Sequence, residues 1–209
     1  MEHHPKSRRM DKMTLDLQAT HSMFQGMRAY PVAVTTAYEG RTNGLMSLSG
    51  ALSGILHEAP RVSVSITKYN FSHDLVLKSG VFAMHVLSND PLMFDASLKI
   101  LMTLGGSSGR DGEKIPLLRT QVGVTHCPIL LDALSYVEVR ITGSLDNDEN
   151  TIFVGDVVAA ERLNAGSKMD IGTAWAKLPS DWVQQYESNH IRQENHCRVM
   201  RGIQAIEVN

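Results

Sequence analysis

The chain has 209 residues, 43% hydrophobic and 20% charged, with a formal net charge of −2. That size favours one large domain, or one domain with a helical extension, and the charge gives no overall bias toward nucleic acid. No apolar run approaches the ~20 residues of a membrane span, and the basic start "MEHHPKSRRMDKM" lacks the apolar stretch of a secretory signal, so residues 1–13 read as a floppy basic tail on a soluble, cytoplasmic protein.

Residues 14–28 are expected to form a helix, with Met13, Leu17, Phe24 and Met27 on one face and Gly26 weakening its end. Pro31 opens a strand, "VAVTT". The Asn-Gly pair at 43–44 signals a turn in "YEGRTNG". The stretch "RTNGLMSLSGALSGI" is small, polar and glycine-rich yet carries Leu and Met. It reads as too irregular for a strand and too apolar for a solvated loop.

"RVSVSIT" alternates strictly, with Val62, Val64 and Ile66 on one face and Ser63, Ser65 and Thr67 on the other, as a half-buried strand requires. "FSHDLVLKSG" predicts a short helix with Ser72 as N-cap and Gly80 past its end. "VFAMHVL" is apolar on both faces and reads as a buried strand, with His85 a satisfied core residue. Asp90-Pro91 signals a helix start that runs to about Leu104.

"GGSSGRDGEK" is a loop. Val137, Val139 and Ile141 alternate in a further strand, and "NDENTIFVGDVVAAERL" is a turn and a long strand. "PSDWVQQYESNHIRQENHCRVMRG" predicts a long helix capped at Ser180, with a thin apolar stripe of Trp182, Tyr186 and Met200. "IQAIEV" is expected as a closing strand. The pattern points to a mainly β protein, a barrel with peripheral helices.

Familiar catalytic motifs are missing: there is no HExxH, GxSxG, Walker-type GK[ST] or GxGxxG. His190, His196 and Cys197 spread around one helix and read as a solvated face, so no metal site is expected. Cys127 and Cys197, far apart and without CxxC spacing, read as free thiols in a reducing compartment. What remains is a set of donors. Gly44 and the run Met46, Ser47, Leu48, Ser49 can aim N–H and hydroxyl groups at a flat heterocycle. Lys68, Asn70 and Ser72 surround a helix start, which is an anion site. An ordinary polar connection, with Ser72 only a cap, accounts for the same residues.

"YPVAVTTAYEGRTNGLMSLSG", "APRVSVSITKYNFSHDLVLKSGVFAMHVL", "GGSSGRDGEKI" and "TIFVGDV" resemble, in that order, the flavin reductase-like family of FMN-binding split barrels, in particular its flavoredoxin-type branch. The resemblance covers roughly residues 24 to 163. It implies a homodimeric split β-barrel over residues 14–170, holding FMN or using FMN or FAD as substrate, with NAD(P)H as hydride donor. Residues 171–209 form a helical extension packed on the barrel or on the dimer partner.

On matching positions the resemblance puts Asn43, Gly44, Leu45, Met46, Ser47, Leu48 and Ser49 along the flavin edge, with Thr36 and Ser53 counted among the binding residues. Lys68, Asn70, Ser72 and His73 fall around the phosphate, and Arg110 and Lys114 near the flavin or the dimer seam. His73 reads equally as an exposed residue in the first turn of a helix. Glu149-Asn150 stands where many members carry Asp-His. The function implied is an NAD(P)H-dependent flavin reductase. A non-catalytic FMN carrier of flavoredoxin type, served by another redox protein, is the second reading, and a barrel holding another planar ligand such as haem is the third.

Overall fold

A two-residue turn organises the first hairpin. Strands β1 (Val32–Tyr38) and β2 (Arg41–Ser47) are joined by Glu39 and Gly40, whose φ angles are 48° and 78°. This left-handed pair matches the twist of the flanking strands. Tyr38 pairs with Arg41 and Val32 with Ser47. The turn expected at Asn43-Gly44 is therefore corrected: Gly40 supplies the positive φ, and Asn43-Gly44 lies inside β2. For residues 41–47, the reading of the segment as too irregular for a strand is corrected as well.

The computed structural model describes residues 30–52, 54 and 56–206. The expected tail over 1–13, the helix over 14–28 and Ser53 lie outside them. Beyond the hairpin come β3 (Ala51–Leu52), β4 (Arg61–Thr67), α1 (Phe71–Ser79), β5 (Val81–Val86) and α2 (Phe94–Gly105). A short 3-10 turn (Ile115–Leu117) leads to β6 (Thr120–Val122), β7 (Pro128–Leu130), β8 (Ser135–Asn147) and β9 (Asn150–Arg162). Helices α3 (Ile171–Trp175) and α4 (Ser180–Met200) close the chain.

Seven antiparallel strands form one sheet in the order β2-β1-β5-β8-β9-β4-β3, and β6 and β7 make a separate hairpin. The sheet curls. Val34 and Leu45 from one end pack with Val62, Val64 and Ile66 from the other in a single core completed by Phe82 and Phe153. Among the described residues β2 nonetheless pairs only with β1, so within them the barrel stays open between β2 and β4. This is the expected split barrel. A second core packs α2, through Ile100, Leu101 and Leu104, against Ala33, Leu130 and Met169.

The β4 alternation holds: Val62, Val64 and Ile66 are buried and Ser63, Ser65 and Thr67 half-buried. In β8 the alternation is broken by irregularities between Glu138 and Val139 and between Ile141 and Gly143, and of the three apolar residues only Val139 is fully buried. Gly80 ends α1 in the left-handed conformation, with φ of 68°. Three expected termini move. Asn70, not Ser72, precedes α1. Asp90 instead ties a turn, accepting from Leu92 N, before α2 begins at Phe94. Ser180 is the first helical residue of α4 after Pro179. Residues 203–206 form no strand; Ile203 N donates to Arg198 O instead. Among the described residues no helix is long and apolar enough to cross a membrane.

His85 is the satisfied core histidine the sequence suggests. It is fully buried in β5. Nδ1 lies 3.3 Å from Ala33 O, and Leu130 N donates to Nε2 at 3.1 Å, which fixes the neutral tautomer protonated on Nδ1. Burial pushes its pKa down to about 4. Between that value and the ordinary 6.5 the unfolded chain binds the extra proton. The neutral ring's contribution is thus complete above pH 6.5 and lost as pH falls toward 4, a loss on the order of 3 kcal/mol. Urea unfolding at pH 7 and pH 4.5 checks this: the difference should shrink in His85→Gln, and an unchanged difference would contradict it.

Candidate functional site

An edge strand leaves every second pair of backbone N–H and C=O groups without a sheet partner. β2 is such a strand, and it borders a cavity of about 680 Å³. Asn43 through Ser49 form one wall, Ser65, Ile66 and Thr67 of β4 face them across the split, and the start of α1 and the loop over 107–111 close one end. A hydroxyl bridge crosses the gap: Ser47 Oγ and Ser49 Oγ lie 2.8 Å apart, and Ser49 Oγ donates to Ser65 O at 3.0 Å.

Asn43 carries the sharpest signal. Its residue is 2% exposed. Nδ2 donates to Ser72 Oγ at 3.0 Å, linking β2 to α1, and Oδ1 has no hydrogen-bond partner among the described residues. Gly109 sits so close to this amide that a Cβ there would collide with it, so the loop holds the side chain in place. A buried amide oxygen without a donor costs about 1–3 kcal/mol. The cavity beside it is where a donor would come from.

The far end is positive. α1 begins without a side-chain cap, which leaves first-turn N–H groups and the positive end of the helix dipole toward the cavity. Arg110 is anchored there: Nη1 donates to Tyr69 O at 2.6 Å and Nη2 to Asp74 Oδ2 at 3.3 Å. Lys68 Nζ donates to Asp146 Oδ1 at 2.6 Å, and that bond holds the Asp146 carboxyl below the usual carboxylate range.

Lys114 lines the cavity but is 5% exposed. Its Nζ donates to Leu104 O and Ser107 O, both at 3.0 Å. It therefore neutralises the carbonyl end of α2 and ties the following loop to it. Burial pulls its pKa down to about 8.

Lys68, Asn70, Ser72, Arg110 and Lys114 all line the cavity together with residues 43–49. Thr36 and His73 do not. Thr36 is fully buried in β1, where Oγ1 donates to Val81 O at 2.9 Å. His73 lies in the first turn of α1, as expected, but on its core side, buried and not exposed. Its Nε2 is 2.9 Å from Thr151 Oγ1, and its ring is 5.7 Å from that of Phe153. Three residues into a helix is the position that turns back toward the sheet.

The sequence reading predicted α4 but named none of its residues in the site. Tyr186, Asn189, Gln193 and His196 line the cavity, at intervals of three and four residues that put them on one helical face. His190 also lines it, stacked on Tyr186 at 6.2 Å. His190 and His196 are exposed, as the solvated face expected for them requires, and that face borders the cavity. The signal was present in the spacing, but polar residues on a helix face look the same whether they meet water or a polar cavity.

The helix is fastened at both ends. Gln185 Nε2 and Asn189 Nδ2 donate to Gly106 O, the Tyr69 and His196 rings lie 5.3 Å apart, and Arg201 reaches Glu149. The two cysteines are free, and burial pushes the Cys127 thiol up to about 11, as suits inert packing.

Comparison with known proteins bears on this cavity. The profile of the flavin reductase like domain matches residues 26–173. A high molecular weight rubredoxin of Moorella thermoacetica is 27% identical over 157 residues, 74% of this chain and 63% of that one. The chain thus spans less than two thirds of that relative's length. A ferric-chelate reductase (NAD(P)H) of Archaeoglobus fulgidus is 23% identical over 150 residues, 71% of this chain and 82% of that one. The crystal structure of an FMN-binding protein from Thermus thermophilus, with bound p-hydroxybenzaldehyde, superposes with a TM-score of 0.56 and 25% identity, covering 64% of this chain and 71% of that one.

Proposed function

The chain belongs to the flavin reductase-like family, and from that premise we propose that it is a flavin-binding oxidoreductase that takes FMN in the β2–β4 cavity and accepts hydride from NAD(P)H. The observation that carries this reading is the buried Asn43 oxygen without a partner, set in a cavity lined by hydroxyls and by an uncapped helix start.

The residues present fit FMN. A flat ring system with N–H and C=O edges matches the free backbone groups of an edge strand and the Asn43 oxygen. A polyol chain matches the Ser47, Ser49 and Ser65 wall. A phosphate matches the start of α1 with Asn70, Lys68 and Arg110. When bound, FMN supplies the hydride and electron transfer chemistry, so no side-chain nucleophile is required.

The chain's own residues bind and orient. Leu45, Met46 and Leu48 keep water from one side of the cavity. Arg110 holds the loop over 107–111 against α1. The face of α4 limits access from solvent. FAD is the alternative flavin, and a homodimer in the cytoplasm is the assembly we expect. The second reading, an FMN carrier reduced by another protein, is favoured by α4, which lies along the cavity and narrows the approach of a nicotinamide.

Consumption of NADH or NADPH by the purified protein with FMN present decides between these readings. The phosphate assignment has its own test. Lys68→Ala is expected to weaken FMN by about tenfold and riboflavin hardly at all, since a partly exposed, charge-assisted bond is worth about 1–1.5 kcal/mol. Equal losses for the two ligands, measured by quenching of flavin fluorescence, would refute the role.

A further inference from the structure

Next to this cavity lies a second one of about 630 Å³, which shares Met46, Leu48, Gly105, Tyr186 and His190 with it. Its character is different. Pro31, Leu101, Ile171, Trp175, Ala176 and Trp182 complete its walls. Trp182, Tyr186 and His190, four residues apart along α4, stack as a ladder: Trp182 and Tyr186 are 5.3 Å apart at 18°, and Tyr186 and His190 are 6.2 Å apart at 11°. Trp175 of α3 stands edge-on to the first two, at 76° and 78°. The Trp182 indole is fixed by donation from Nε1 to Met102 O at 3.1 Å, so its one polar atom is already used.

We propose that this chamber binds a planar, electron-poor aromatic molecule of one or two rings, a quinone in class. Walls that are mostly apolar reject sugars and phosphates, because their hydrogen bonds to water would be lost without full replacement. Indole and phenol faces are electron-rich, and they stack best on a ring that is electron-poor. The volume falls within the range of small-molecule sites, about 300–1,000 Å³. Trp175, Ala176, Trp182, Tyr186 and His190 all lie past residue 173, where the family match ends, so the aromatic side of the chamber comes from the segment that follows the matched region. The two cavities share a wall, so the chamber is probed in flavin-free protein.

The chain contains 2 tryptophans, and both line the chamber, so intrinsic fluorescence reports on it directly. The probe is 2,3-dimethyl-1,4-naphthoquinone, whose substituted ring cannot add to the Cys197 thiol. Added to flavin-free protein, it should quench tryptophan emission saturably at one per chain, with matching heat in a calorimetric titration. Ala176→Phe, which fills the chamber, should weaken it at least tenfold while leaving FMN affinity unchanged. Trp182→Leu, which keeps the apolar surface and removes the ring, should also weaken it about tenfold.

Absence of saturable quenching, equal affinity in Ala176→Phe, or equally tight binding of the saturated decalindione of the same outline would overturn the proposal. So would tryptophans shielded from acrylamide at concentrations where the protein is a dimer and freed on dilution, which would give the chamber to a second copy of the chain. Failure of FMN to bind, with the quinone still bound, would sink the proposed flavin function and leave this one standing.

Discussion

Replacing Asn43 with leucine is expected to weaken flavin binding by about 10- to 100-fold and to leave the ligand-free protein as stable as before, or more so. The two effects have one cause. Oδ1 is buried and has no donor, so the folded protein carries a desolvation cost that an apolar side chain of the same shape removes. If the ligand supplies the missing donor, the same change deletes a buried hydrogen bond from the complex, worth about 1–3 kcal/mol. Loss of the Nδ2 bond to Ser72 works against the gain in stability, which is why no more than a modest increase is expected.

Flavin fluorescence titration and urea unfolding of the ligand-free protein measure the two halves separately. A variant that loses stability and keeps its flavin affinity would show that the lone oxygen is a feature of packing, unrelated to a ligand.

Glu138→Ala should produce the largest loss of stability, roughly 3–5 kcal/mol, with flavin affinity unchanged wherever the protein remains folded. Glu138, the fourth residue of β8, is 1% exposed. Its carboxylate accepts from Val124 N at 3.0 Å, from Thr125 N at 2.7 Å and from Thr125 Oγ1. Removal strands three donors, two of them backbone groups with nowhere else to turn, and each unmet buried donor costs about 1–3 kcal/mol before water enters.

Glu138→Gln keeps the shape and half of the accepting capacity, and its amide N–H groups face donors. It should fall between wild type and alanine. Thermal or urea unfolding of both variants checks the order. Equal stability of Glu138→Ala and wild type would mean that the connection between β6 and β7 rests on other contacts. The effect is separable from function because Glu138 does not line the ligand cavity.

Glu138 also marks what the sequence hides. Its partners lie 13 and 14 residues upstream, in a connection that folds back onto β8, and no local periodicity announces such a return. Strands β1, β4, β5, β8 and β9 were legible, whereas β2, β3, β6 and β7 were not. In "RVSVSIT" the apolar residues fall on alternate positions, and the pleat puts them on one face whatever the rest of the chain does. The hairpin was legible as a hairpin but not in its register. Two turn candidates stand three residues apart, Gly40 and Asn43-Gly44, and only the pairing of Tyr38 with Arg41 chooses between them.

The candidate site divides in the same way. Residues 43–49 and 68–72 could be singled out because hydroxyls, small residues and a helix start cluster there. The bond joining the two groups, Asn43 to Ser72, spans 29 residues and could not be inferred from spacing. Nor could the depth of Thr36 and His73, which depends on which side of β1 and α1 meets the core. The face of α4 was hidden for another reason. A helix with a thin apolar stripe has two plausible surroundings, and its sequence is compatible with both.

The central claim is that the opening between β2 and β4 is a flavin site. The most direct test is titration of ligand-free protein with FMN, following visible absorbance and flavin fluorescence, in wild type and in Asn43→Leu. The account predicts a shifted spectrum, saturation at one FMN per chain, and marked weakening in the variant. A flavin spectrum indistinguishable from that of FMN in buffer, at every protein concentration, would contradict it.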